Sequence, residues 1–520
     1  MRRRHEEIPA SGERSFGANA ALTAFAWMVP AVTALIAIPV IVRGLGADQY
    51  GLLALTSAVT GYLGLMEMGL GSAILRYLSY YRALNQGRPM RAIIWFGIRW
   101  FFLAGLIGCV FLWVAAPWLS SSVLDVPADL QATSIVVLRL TGANFLVGML
   151  VSVGTAIPQS FLRYDLASAM SGSIGTLSAL GPAVIVTLGY ELVPVVWFSL
   201  SLNLAALTLY ALIGLRLVGP VPPSEGPQWR EIRKKTLSFA SLTAINQIGN
   251  TLSVQTNRLV VGIAGGVAAA AYYQVPYTMA DRVNDMLYRV AQVIFPTASA
   301  LLAAKDTDGV RRLYLRTSRV FFVINFAVTM GLCVLSYPLL EYWVSPTYAE
   351  EGAVALLIFS LSQSLHATTM SASFINLSAA RPGINVTFAN VANGINLALV
   401  YPLTVRYGIN GAALAGLIAA LNVPFFLHYG NRRVLCLSSW LVWRRCYQPT
   451  VLGTGLTGVA AYFLVRPLCR SLVTTLACWA IIVLVSMVVS GLLGGVSRED
   501  LRAGRRLLGT LWRPVRARLR

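Results

Sequence analysis

The feature that most constrains this chain is a succession of apolar segments, each about twenty residues or longer, joined by short polar connections. A helix of roughly twenty apolar residues crosses a hydrocarbon core about 30 Å thick. Such segments are placed near 19–42, 50–77, 93–116, 131–156, 167–188, 192–215, 237–262, 268–302, 318–338, 351–377, 384–405, 409–430, 448–465 and 471–494. The expected fold class is therefore all-α, a polytopic membrane protein of about fourteen transmembrane helices. No segment between the spans is long enough to bury a core of its own. Of the 520 residues, 57% are hydrophobic and 12% charged, against about 25% charged in a soluble domain.

The basic residues give the spans a direction. The chain carries 41 Lys+Arg against 20 Asp+Glu, a net charge of +21, which in a soluble protein points to nucleic acid. With the N-terminus inside and fourteen spans, 31 of the 41 fall in cytoplasmic segments and only Arg43, Arg406, Arg466 and Arg470 face outward. Six lie within spans: Arg76, Arg99, Arg139, Arg258, Arg282 and Arg289. The excess is a topology signal, both termini are expected in the cytoplasm, and nucleic-acid binding is not expected. Dropping one span would turn Arg432, Arg433, Arg444 and Arg445 outward.

The six cysteines show no metal-ligand spacing and no disulfide framework, and no metal or catalytic constellation is expected. The Met-Arg-Arg-Arg start precedes a span too long for a signal peptide and reads as an uncleaved anchor. The C-tail holds eight Arg from Ser497 onward, interleaved with Leu501, Leu507, Leu508, Leu511 and Trp512. It reads either as an interfacial segment on anionic membrane lipids or as a solvated topology anchor.

The Pro-rich stretch of 216–236 is the clearest hinge. It sets the expected organisation as an N-tail (1–18), a first six-helix bundle (19–215), the hinge loop (216–236), a second six-helix bundle (237–430), two further helices (431–494) and a basic C-tail (495–520). The halves are weakly alike. Gly46 onward aligns with Gly266 onward, and the turn at Leu188–Gly189–Tyr190 with Arg406–Tyr407–Gly408. Two pseudo-symmetric six-helix halves of even span number would have parallel topology, a plan used by transporters that bind substrate near the midplane between them.

Ionisable groups inside spans are costly, roughly 2.5–3.5 kcal/mol for Arg or Asp at a helix centre on insertion scales, so they mark wet cavities or pairs. The eighth span carries Asp281, Arg282, Asp285 and Arg289, with 281, 285 and 289 on one face. The plain alternative is an Asp285–Arg289 pair that neutralises itself. The seventh span carries Asn246, Asn250, Ser253 and Asn257 as a stripe with Arg258 beside it. The tenth carries Ser362, His366, Thr369, Ser373 and Asn376, and the eleventh Asn385, Asn390, Asn393 and Asn396. Such stripes also serve as glue between helices. Taken with Glu67, Arg139 and Asn144 they predict a hydrated, cationic cavity. Arg258, Arg282, Arg289, Arg139, Asn250, Asn257, Asn390 and Asn393 are the expected substrate contacts. Guanidinium suits phosphate, and amides suit sugar hydroxyls. Glu67, Asp281 and Asp285 are candidates for ion coupling or gating.

Three short motifs carry a resemblance. Ile38–Pro39–Val40–Ile41–Val42–Arg43–Gly44–Leu45–Gly46–Ala47–Asp48–Gln49–Tyr50–Gly51 resembles the turn between the first two spans of bacterial polysaccharide flippases. Glu67–Met68–Gly69–Leu70–Gly71–Ser72–Ala73–Ile74–Leu75–Arg76–Tyr77 is similar to their acidic-x-Gly-Leu-Gly-x-Ala…Arg signature, with Glu67 where the family usually has Asp. Tyr407–Gly408–Ile409–Asn410–Gly411–Ala412–Ala413 resembles their turn between spans eleven and twelve. These are features of the Wzx-like (O-antigen) branch of the multidrug/oligosaccharidyl-lipid/polysaccharide (MOP) superfamily, and the layout agrees over nearly the whole chain. The resemblance implies a flippase of the bacterial inner membrane. It would move an undecaprenyl-pyrophosphate-linked oligosaccharide repeat by alternating access, driven by a proton or sodium gradient and without a cofactor. Polysaccharide polymerase and chain-length machinery are its expected partners. No phosphate-loop motif for ATP is present.

Other readings remain open at this level. A drug exporter of the superfamily typically has twelve spans, whereas a lipid II flippase has fourteen. A membrane polymerase or glycosyltransferase commonly carries its catalytic groups on a sizeable outward loop. The longest outward loops expected here, near 117–130 and 339–350, contain no His and few acids.

Overall fold

The computed structural model describes the backbone of residues 11–67, 69–84, 86–218 and 229–495, and the side chains of 28–67, 69–84, 86–163, 165–218 and 247–494. The first ten residues, residues 219–228 and those from 496 onward lie outside the described residues. Every described secondary-structure element is helical. Contacts divide the chain into two compact units, Met1–Ala271 and Tyr272–Arg520.

The first unit contains α1 (Ser11–Leu63), α2 (Leu70–Ala83), α3 (Gly87–Trp118), α4 (Ala128–Ser160), α5 (Tyr164–Thr187), α6 (Leu192–Val218), α7 (Trp229–Gly265) and the opening of α8 (Val267–Ala291). Helix α1 packs on α5 and α7, α3 on α4, and α4 on α6. Leu52, Leu55, Leu192, Val195 and Val196 fill one core, and Leu70, Ile74, Leu78, Ile93 and Phe101 another. The contacts of α1 with α7 and with the start of α8 depend on small residues, as interfaces between helices in lipid generally do. A Cβ added at Gly51 would lie 2.0 Å from the Val267 carbonyl oxygen, so only glycine allows that approach.

The second unit continues with α9 (Ile294–Ala303), α10 (Thr307–Val334), α11 (Ser336–Trp343), α12 (Pro346–Thr368), α13 (Met370–Ser378), α14 (Pro382–Ala420), α15 (Val423–Arg433), α16 (Ser439–Val442), α17 (Gln448–Leu464) and α18 (Leu472–Ser490). Helix α10 packs on α12, α17 and α18, and α12 on α14. Tyr314, Phe322, Ile375, Phe426, Cys446 and Tyr447 are buried in one of its cores. Outward faces stay apolar: Val114, Phe463 and Val473 are 76, 71 and 77% exposed. In water such a surface would aggregate, whereas lipid solvates it. All six cysteines are free.

Ten helices among the described residues are long and apolar enough to cross a membrane. The expectation of fourteen spans counts two of these twice and adds α7 and α17, which lie outside the ten. The two counted twice are long rods. The 53 residues of α1 would reach about 80 Å if straight, more than two hydrocarbon cores. It breaks at Gly46 (φ 75°, ψ 173°). The 39 residues of α14 break at Gly408 (φ 58°, ψ −140°). The connection expected as a loop at 43–49 is thus helical except at one residue, and the first helix begins at Ser11, ahead of the expected 19.

The backbone also repeats. Residues with left-handed φ occur at Gly46 and Gly266, at Leu162 and Ala380, and at Gly189 and Gly408, pairs separated by 220, 218 and 219 positions. The span after Gly46 and the span after Gly266 are each interrupted midway, the first by a 3-10 turn at Gly64–Glu67 and the second between Ala291 and Ile294. Pro296, in the first turn of α9, cannot donate to a continuous helix. The packing boundary does not follow this repeat. By sequence α7 opens the second half, and the expected border was the 216–236 loop. By contacts α7 belongs with α1 and α2, and the border falls after Ala271.

Candidate functional site

The acidic-Gly-Leu-Gly signature sits at the interruption of the second span. Gly69 adopts φ 67°, ψ 11° just before α2. The Glu67 carboxylate turns back and accepts a hydrogen bond from the Gly71 backbone N–H. A Cβ at Gly71 would lie 2.5 Å from Glu67 Oε1, so the glycine leaves room for the acid. An anion over the first turn satisfies an orphan N–H and meets the positive end of the helix dipole. Trp100 Nε1 donates to the Met66 carbonyl at 3.4 Å and holds the turn from α3. One turn further, Arg76 lies 5.8 Å from the centre of the Tyr77 ring.

On α7, Asn257 is buried and its Oδ1 accepts no hydrogen bond from a described residue. Arg258 Nη1 donates to Gln255 Oε1 at 3.4 Å and lies within electrostatic range of Tyr50 on α1. The Tyr62 hydroxyl meets Thr256 across the same seam. Asn250 is exposed, Ser253 is buried, and the Asn246 side chain lies outside the described residues. Arg139 is elsewhere, on α4, with its guanidinium 5.6 Å from the centre of the Trp113 ring, a cation–π contact. Asn144 accepts from Asn203 at 2.8 Å and ties α4 to α6, an interhelical amide bond of the glue type.

On α8, where the plain alternative was a self-neutralising Asp285–Arg289 pair, Arg282 lies 3.8 Å from Asp285, one helical turn the other way. Arg289 is exposed and feels both Asp285 and Arg282 electrostatically, so one carboxylate stands between two guanidinium groups. With Asp281 on the same helix, the two carboxylates and two guanidinium groups of α8 balance in formal charge. Asp281 accepts a hydrogen bond from Gln363 Nε2 on α12 at 3.0 Å, and Asn284 Nδ2 reaches Gln363 Oε1 at 3.4 Å. Gln363 and Asn284 were not singled out from the sequence. Gln363 falls beside the Ser362–His366–Thr369 stripe, and only the packing of α12 against α8 brings it to Asp281.

The other stripes divide. Asn376 donates to Asn385 Oδ1 at 2.9 Å and Asn385 donates to the Ser373 carbonyl at 3.0 Å, so that end of the tenth-span stripe binds α13 to α14. Asn325 bonds the hydroxyl and carbonyl of Ser364 at 2.9 and 2.8 Å. By contrast, Asn390 and Asn393 are half-buried and hydrogen-bonded to no described residue, and Asn396 is buried with Oδ1 unsatisfied. These amides keep capacity for a polar ligand.

Helices of membrane length, interrupted at matching points of two halves and carrying ionisable groups along their inner stretches, are the architecture of a multi-pass transporter. A profile of the family described as polysaccharide biosynthesis protein matches residues 40–351, and the chain belongs to that family. It is 22% identical over 417 residues to the uncharacterized membrane protein EpsK of Bacillus subtilis (strain 168), covering 76% of this chain and 79% of that one. It is 19% identical over 433 residues to a Shigella flexneri protein named provisionally as an O-antigen transporter, covering 79% and 96%. Among solved structures, the lipid II flippase MurJ in an inward closed conformation matches with a TM-score of 0.70 at 12% identity, covering 92% of this chain and 99% of MurJ. An inward-facing multidrug resistance MATE transporter of the MOP superfamily matches with a TM-score of 0.66 at 16% identity, covering 80% and 98%. At these identities the structural likeness is one of fold. The polysaccharide family read from the three motifs agrees with the family found, and the solved structures share its fold.

Proposed function

We propose that this protein flips a lipid-linked oligosaccharide repeat across the bacterial inner membrane by alternating access, for surface polysaccharide biosynthesis. The observation that carries the reading is the family match over residues 40–351, joined to a fold that MurJ covers over 92% of the chain. One relative is named for O-antigen transport and one structural neighbour as a lipid II flippase, and both names are consistent with such a cargo. The chemistry is consistent with that cargo. Arg258, Arg282, Arg289 and Arg139 would meet the pyrophosphate, and Asn250, Asn257, Asn390 and Asn393 the sugar hydroxyls. Asp281 and Asp285, with Glu67, would couple the cycle to a proton or sodium gradient. The Lys/Arg distribution supports cytoplasmic termini.

The test is a chromosomal deletion followed by leaflet-resolved detection of the lipid-linked repeat. Accumulation on the cytoplasmic leaflet is the expected result. Unpolymerised repeats facing outward would identify a polymerase instead, and accumulation of lipid II would transfer the cargo to peptidoglycan. In a complemented strain, Arg289→Ala and Asp285→Ala are each expected to lower glycan export about tenfold or more at normal protein level, as loss of one charged contact generally does. Wild-type export in both removes α8 from the path.

A further inference from the structure

A second cationic site lies in the second unit, away from the residues assigned to transport. A cavity of about 460 Å³ is lined by Arg319 of α10, Leu441 of α16, Arg444 and Arg445 of the π-helical turn that follows, Pro449 of α17 and Leu493 just beyond α18. Its size falls in the range of small-molecule sites, roughly 300–1,000 Å³. Three arginines and no acid are among its described lining residues. Arg444 and Arg445 form no ion pair with a described residue, whereas Arg311 and Arg312 on the same helix as Arg319 hold Asp308 and Asp306.

The site is built from the core outward. Next to the two arginines, Cys446 and Tyr447 are buried, and Tyr447 packs on Phe322 with ring centres 4.4 Å apart. Cys446 Sγ reaches the Leu315 carbonyl at 3.5 Å. These anchors fix the turn, and its π-helical step directs Arg444 and Arg445 to the exposed side. Arginine at a loop serves as a topology signal wherever it points, but three guanidinium groups around one concavity also form a phosphate receptor. The rim is amphiphilic. Trp440 and Trp443 are 67% and 43% exposed, as interfacial aromatics are, and Leu492 and Leu493 extend the exposed apolar face of Leu484 and Val488 on α18.

We propose that this cavity binds the phosphate headgroup of an anionic bilayer phospholipid. Arg319, Arg444 and Arg445 donate to the phosphate, and Leu441, Pro449 and Leu493 pack on the glycerol and the first acyl carbons. The acyl chains then run along α18. The Lys/Arg distribution puts this end in the cytoplasmic leaflet, where basic pockets between helices hold acidic headgroups. A free phosphate would satisfy the same guanidinium groups but would leave the apolar rim uncovered.

The test measures lipid binding by the full-length protein and does not depend on what the protein transports. Purified protein in phosphatidylcholine nanodiscs is titrated with fluorescent phosphatidylglycerol, and the Arg444→Gln/Arg445→Gln variant is compared with Arg311→Gln/Arg312→Gln, which removes equal charge outside the cavity. Binding is expected to weaken roughly fivefold per cavity arginine and to change less than twofold in the control. Equal loss in both variants would show a diffuse surface field and overturn the site, as would unchanged binding in the cavity variant. Competition by millimolar inorganic phosphate or pyrophosphate against the lipid would assign the cavity to a soluble anion and overturn the lipid assignment. If the Gln pair does not yield monodisperse protein, Arg444→Lys/Arg445→Lys keeps the charge and loses the planar fork. Weaker binding then supports the proposal and wild-type binding refutes it.

Discussion

At the interruption of the second span, one carboxylate and one missing methyl group are matched. Glu67 accepts from the Gly71 N–H, and a Cβ at Gly71 would meet Oε1 at 2.5 Å. Alanine in a helix is generally better than glycine by up to about 1 kcal/mol, and a lost cap generally costs about 0.5–2 kcal/mol. Gly71→Ala is therefore expected to be neutral or destabilising in the wild type and stabilising in a Glu67→Ala background. A thermal-unfolding cycle on the purified protein measures the difference. Coupling below about 0.3 kcal/mol, the scatter of independent sites, would mean that the two residues do not act together. The motif was legible as a pattern of letters, and its acid was read as a coupling candidate. Its fit to the first turn of α2 was not legible, because nothing in the sequence tells that the span is interrupted there.

At the scale of elements, the repeat is written in backbone conformation more clearly than in residue identity. Gly46 and Gly266 share a left-handed φ, and so do Leu162 and Ala380, and Gly189 and Gly408. No atom lies within 4 Å of a Cβ added at Gly46, so the constraint there is conformational alone. At φ 75°, ψ 173° Gly46 lies outside the left-handed helical well that Asn visits, in a region that is essentially glycine-only. Gly46→Ala and Gly46→Asn are each expected to lose about 1–3 kcal/mol, read by melting temperature. Wild-type stability in both would show that the helix straightens through Gly46. The apolar periods revealed the long helices but not the interruption between α8 and α9, since the residues from Val290 to Phe295 around it are apolar except for Gln292. Pro296 was visible, yet a proline marks only where a break is permitted.

At the scale of the molecule, the structure changes how the topology is best tested. In the outward connections expected near 117–130 and 339–350, Ser120 is buried, while Ser121 and Thr347 are exposed. In a cysteine-free background, Ser121→Cys and Thr347→Cys are expected to react with an impermeant maleimide in intact spheroplasts, and Gln448→Cys only after lysis. Labelling of Gln448→Cys from outside would invert the orientation read from the arginines. The structure likewise redraws the division of the chain. The segment 216–236, whose described ends belong to α6 and α7, marks a change of composition, but α7 packs with α1 and α2, and Gly51 meets the Val267 backbone. Composition registers how a segment is solvated, and packing registers which surfaces are complementary.

The sequence by itself determined the solvent, the class of fold and the family. Each rests on local quantities: apolar length per segment, charge per loop and short motifs whose spacing survives in the linear chain. Only the tertiary structure decided which polar groups meet. It paired Arg282 with Asp285, brought Gln363 to Asp281, turned Asn376 and Asn385 into helix glue, and gathered Arg319, Arg444 and Arg445 around one cavity. Those outcomes depend on rotation and approach between helices far apart in the chain. An ångström of approach or a few degrees of helix rotation changes partners without changing hydropathy, so no reading along the chain could have fixed them.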